Sequence, residues 1–180
     1  MKYFLLMLLS SILPLSVLAQ TSGPPQVHYE AVRSAQYEVQ YQVPAGWNQM
    51  RQASDTAVSL VHLSPNRDLT LYISKLRGAA ARMTPEQALF HLTEQFGVTV
   101  NKQFATSYNG IKFLETTGTG NREGQPLRYD ALAARHQGHV LLICVSGTPD
   151  AFVNHEDEVQ HILHSLAPYK VRNKSRPARP

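Results

Sequence analysis

Near its C-terminal end the chain carries an unbroken apolar run, Val140-Leu141-Leu142-Ile143-Cys144-Val145. No polar residue alternates with the apolar ones, so a strand here needs cover on both faces. Turn residues bound it, with Gln137-Gly138 before and Gly147-Thr148-Pro149 after. The run is far shorter than the ~20 residues of a membrane-spanning helix. Such a strand belongs in the interior of a sheet with helices packed on it.

The other elements follow from periodicity. Tyr37, Val39, Tyr41 and Val43 alternate with polar residues, as in a half-buried strand. Pro44-Ala45-Gly46-Trp47 ends it, and Trp47 can cover an end of the core. Residues 57–63 and 69–74 form a hairpin about Ser64-Pro65-Asn66-Arg67. Residues 98–107 and 111–117 form another, closed by Asn109-Gly110, a pair suited to the positive φ angles of a tight turn. Residues 127–135 and 139–145 form a third about His136-Gln137-Gly138. Thr84-Pro85-Glu86-Gln87 starts a helix with a capping box. Ala88, Leu89, Leu92 and Phe96 share its buried face, Phe90 lies off that stripe, and Gly97 stops it. Thr148-Pro149-Asp150 starts a second helix, whose stripe is Phe152, Val159, Ile162, Leu163 and Leu166. Residues 76–83 and 118–126 read as loops. The sum is an α+β fold of about seven strands and two main helices, with an antiparallel or mixed sheet. Strands and helices do not alternate, which excludes a doubly wound parallel fold.

Both ends differ from this domain of residues 36–168. Met1-Lys2, the apolar Tyr3–Leu13, Pro14 and Val17-Leu18-Ala19 have the order of a secretory signal peptide, residues 1–19, cut after Ala19. A retained anchor needs about 20 apolar residues, more than Tyr3 to Leu18 supply. No cysteine lies near the junction to carry a lipid. Residues 20–35, with Gly23-Pro24-Pro25, read as a linker. Residues 169–180 form a basic tail with the composition of a disordered segment. Five of the 17 basic residues lie there, so the net charge of +4 comes from the tail and not from a basic face. Weak contact with an anionic surface is the functional reading of this tail, and a solvated end is the plainer one.

The candidate chemistry is sparse. Asp157, His161 and His164 fall on one face of the last helix at spacings of four and three, and imidazole with carboxylate suits zinc, copper or nickel. The plainer reading is a solvated face carrying titrating histidines. His136 and His139 flank a two-residue turn, which puts them opposite one another at an exposed hairpin tip. Cys144, the one cysteine, excludes a disulfide framework and reads as a buried small hydrophobe. The glycines of residues 118–124 lack the spacing of a dinucleotide loop, and a strand follows in place of a helix. No nucleophile–base pair is visible, so neither catalysis nor a cofactor is expected.

Val43-Pro44-Ala45-Gly46-Trp47 resembles the opening of the PsbP-like fold family, which includes DcrB-like envelope proteins. So does the closing pattern, an apolar strand, Ser146-Gly147-Thr148-Pro149, then Phe152 and Ile162-Leu163-His164-Ser165-Leu166. The resemblance spans residues 36–168 and implies an α/β/α sandwich whose members act as binding, assembly or chaperone-like accessories. The expectation is an exported, periplasmic or secreted, non-enzymatic accessory protein. Its partner would be another envelope protein and not a nucleic acid, met by residues 76–83 and 118–126. The alternatives are a periplasmic immunity protein against a toxin and a histidine-based metal binder.

Overall fold

A computed structural model describes residues 27–170. The expected signal peptide and all but the first two residues of the basic tail lie outside them. Among the described residues, no helix is long and apolar enough to cross a membrane.

The chain forms strands β1 (Tyr29–Ser34), β2 (Val39–Pro44), β3 (Asn48–Ala53), β4 (Ala57–Leu63) and β5 (Leu69–Leu76). A short 3-10 turn, Gly78–Arg82, leads to helix α1 (Pro85–Phe96). Then come β6 (Val98–Tyr108), β7 (Ile111–Arg122), β8 (Gln125–His136) and β9 (His139–Gly147). Helices α2 (Pro149–Asn154) and α3 (Glu156–Ser165) and a two-residue strand β10 (Ala167–Pro168) complete it. The main sheet has seven strands in the order β3-β4-β5-β9-β8-β7-β6, and β1-β2-β10 form a small second sheet. All pairings are antiparallel.

β9 sits in the middle, and its first eight residues are buried. On one face Leu141, Ile143 and Val145 join Leu71 and Ile73 of β5 and Leu132 of β8. Over them lie Val39, Tyr41 and Val43 of β2 with Val159, Ile162 and Leu163 of α3. On the other face Val140, Leu142 and Cys144 join Ala131 and Ala133 of β8, under Ala88 and Leu89 of α1. The capping box of α1 is complete: Thr84 Oγ1 accepts from the Gln87 N–H, and Gln87 Oε1 accepts from the Thr84 N–H. Gly97 ends the helix at φ 59°, a left-handed conformation suited to glycine.

Four expectations are corrected. Residues 29–34, expected in a linker, are β1, an edge strand with no fully buried residue and therefore without apolar alternation. Residues 48–53 form β3, unforeseen because all six are exposed. The final helix breaks at His155 (φ −117°), which faces Asp68 at 3.6 Å and Glu158 at 3.2 Å. Residues 118–126 are not a loop: β7 continues to Arg122, β8 starts at Gln125, and only Glu123-Gly124 turn. Gly118 is buried within β7, where a Cβ would collide with the Thr99 carbonyl and the Tyr129 ring. It is there for close approach and not for mobility. Gly118→Ala should cost about 1–3 kcal/mol by overpacking, measured as a lower midpoint in urea at unchanged m-value.

Candidate functional site

The two faces of the main sheet are covered unequally. α1 crosses β6 to β9, and beside it, over β3 to β5, a groove of about 720 Å³ remains open. Its floor mixes short side chains, Ala57, Ser59 and Ser74, with the larger Tyr72, Leu76 and Leu142, and Ala80 and Ala88 lie beside them. Leu92 and Phe96 of α1 and Met83 form the apolar wall. Gln52 and Ser54 on the sheet side and Gln95 on the helix side form a polar rim, which also carries the exposed His91–Glu94 pair at 3.7 Å. Two arginines fix the end of the groove: Arg77 donates to the Ser54 carbonyl, and Arg135 donates to the carbonyls of Ala81 (3.2 Å) and Met83 (2.8 Å). Residues 76–83, expected as a loop, thus form the end wall of the groove, held by these contacts.

The groove is chemically quiet. Ser59 Oγ and Ser74 Oγ bond each other at 2.8 Å, and among the described residues neither they nor Cys144 bonds a histidine or a carboxylate. Burial pushes the Cys144 thiol up to about 12. Such a surface suits apolar side chains of a bound segment and holds no activated nucleophile.

The residues nominated from sequence do not converge. His161 contacts Gln42 Oε1 at 2.6 Å and stacks on Tyr29 at 3.7 Å, while His164 faces the Tyr108 ring at 5.5 Å and Asp157 is exposed. Among the described residues, no group of three or more His, Cys, Asp or Glu side chains is placed to hold a metal ion. His136 and His139 do face each other, rings 6.0 Å apart, but not at an exposed tip. Both are 6% exposed beneath the β1–β2 turn. There His136 Nε2 donates to the Glu38 carbonyl at 2.9 Å, and His139 Nδ1 lies 3.4 Å from Glu38 Oε2. The covering turn lies about a hundred residues away in sequence (98 between Glu38 and His136), so local pattern could not reveal it.

Sequence reasoning also missed a buried acid pair on the closed face. Glu115 of β7 accepts a hydrogen bond from the Tyr108 hydroxyl at 3.2 Å. Asp130 of β8 is 3.8 Å from Arg128, whose guanidinium lies over the Phe152 ring at 4.5 Å. Asp130 Oδ1 is buried without a hydrogen-bond partner. The signal was present, since Asp130 shares the core-facing alternation of Leu132 and Ala134.

The sequence matches no protein-family model and no curated protein. Solved structures do match. The architecture, a seven-stranded antiparallel sheet between a helical layer and a mixed one, defines an α+β sandwich. It superposes on the cyanobacterial PsbP of Synechocystis with a TM-score of 0.58 and 13% identity, over 84% of this chain and 99% of that one. It also superposes on LpqN, involved in cell envelope biogenesis of Mycobacterium tuberculosis, with a TM-score of 0.52 and 16% identity, over 80% of this chain and 92% of that one. The fold is PsbP-like.

Two measurements test this chemistry. Native Cys144 should alkylate with iodoacetamide at pH 8 about a thousandfold more slowly than the unfolded chain, from its thiolate fraction alone. Burial raises the pKa of both Asp130 and Glu115. Their stabilising contribution is therefore complete below the ordinary carboxylate range and lost as pH rises through the raised values. Asp130→Asn should flatten that loss and gain on the order of 1 kcal/mol at pH 8, with little change at pH 4, in urea titrations at the two pH values.

Proposed function

We propose that this is an exported, periplasmic or secreted, non-enzymatic accessory protein of the cell envelope that holds a segment of a partner protein in the groove beside α1. The observation that carries the reading is the groove itself. It has an apolar wall, a polar rim and no charged group on its floor. That combination favours binding over chemistry, because catalysis needs an activated group and the thiol at the floor is held protonated. No cofactor is invoked. The PsbP-like fold supports an accessory role by analogy, and LpqN, of the same fold, is involved in cell envelope biogenesis. The signal-like order of residues 1–19 supports export.

The test is photo-crosslinking in intact cells. A photoreactive residue at Gln52 or Gln95 should give the same discrete adduct, and one at Lys112, exposed on β7, should not. Leu92→Asp should remove the adduct. Mass spectrometry of the recovered protein should find Gln20 as its first residue. Adducts alike from all three positions would overturn the groove reading, and an intact Met1 would overturn export.

A further inference from the structure

The main sheet ends in two exposed strands that are treated differently. β6 is blunted in the way that prevents strand addition: its register with β7 breaks between Val100 and Lys102, and Lys102 sits mid-strand. β3 has no register break, and Arg51 is its one charge. It pairs with β4 through six consecutive residues without a register break, contains neither proline nor lysine, and is exposed along its length. Its outer backbone groups have no strand beside them among the described residues.

β3 is also continuous with the groove. Gln52 pairs with Ser59, a floor residue, so Gln52 and its alternate neighbour Met50 project on the groove face. Arg51 pairs with Leu60 of the closed-face core and projects the other way. It is the one charged side chain of β3 and forms no ion pair among the described residues.

Building on the groove reading, we infer that the partner segment adds to the sheet as an extended strand along β3, with an acidic residue opposite Arg51 and apolar residues on either side of it. Backbone bonds to β3 hold the segment. The two apolar side chains fall on the face of Met50 and Gln52 and enter the groove, while the carboxylate meets the unpaired guanidinium on the opposite face. The recognised pattern is apolar–acidic–apolar, and its charge is set by Arg51.

The test uses the full mature chain and a labelled peptide, Ser-Thr-Leu-Glu-Leu-Thr-Ser, in fluorescence anisotropy. Replacing its glutamate by lysine should weaken binding tenfold or more. Arg51→Glu should reverse that preference, so that the lysine peptide binds tighter. Gln52→Trp, an exposed substitution that fills the groove mouth, should weaken both peptides tenfold. Amide exchange should slow in residues 48–53 on peptide addition and stay unchanged in β6. Equal binding of the two peptides to both proteins would overturn the inference, as would no saturable binding up to about 1 mM, the weak limit of specific recognition. Rim crosslinks in cells that survive Arg51→Glu would remove strand addition while leaving the groove as the binding site.

Discussion

Everything in this molecule depends on burying β9 from both sides, and the two sides are served by very different amounts of chain. The closed face receives β2, α2, α3 and the small sheet, locked by contacts between distant segments. Asn109 donates to the carbonyls of His164 and Leu166, and Tyr169 N–H to the carbonyl of Glu38. The opposite face receives one helix of 12 residues and a single 3-10 turn. Seven strands at about 4.8 Å spacing make a surface roughly 29 Å wide, and a helix is only about 10 Å across. One helix cannot roof such a sheet. It lies over β6 to β9, where the alanines of β8 let it approach, and leaves β3 to β5 short of cover. The groove is the geometric remainder of that mismatch. It stays compatible with water because Ala57, Ser59 and Ser74 break up the apolar floor that Leu76 and Leu142 would otherwise make continuous.

This explains what the sequence could and could not disclose. Elements whose burial is decided locally were legible: the run of β9, the Thr84 capping box, and the Asn109-Gly110 turn. Elements with two wet faces were not. β1 and β3 bury too little to impose alternation, so one resembled a linker and the other resembled nothing. Glycine misled for the opposite reason, since Gly118 and Gly120 admit neighbouring atoms inside a regular strand and do not loosen the chain. The groove was illegible because small side chains define it, and single alanines or serines carry no pattern. The histidines were visible as residues, yet their partners (Gln42, Tyr29, Glu38) come from the small sheet and its β1–β2 turn, far away in sequence.

The buried ionisable side chains are divided between the faces in a way that follows from the same asymmetry. His62, Glu115, Asp130, His136 and His139 all lie with the closed face or its margin, where layers meet tightly enough to hold their partners. Groups of opposite charge type are perturbed there in opposite directions. Burial drives His62, bonded to the Tyr41 hydroxyl at 2.7 Å, down to about 4. Neutral His62 therefore supports the fold above the ordinary histidine range, and that support is lost as pH falls towards 4. Glu115 and Asp130 are raised, so their support is present at low pH and lost as it rises. The two dependences oppose each other across the mildly acidic range and partly cancel. The groove floor has no carboxylate or imidazole, and its thiol is held neutral by burial. Acidification thus acts on how firmly the closed face is assembled, where the buried imidazoles and carboxylates lie.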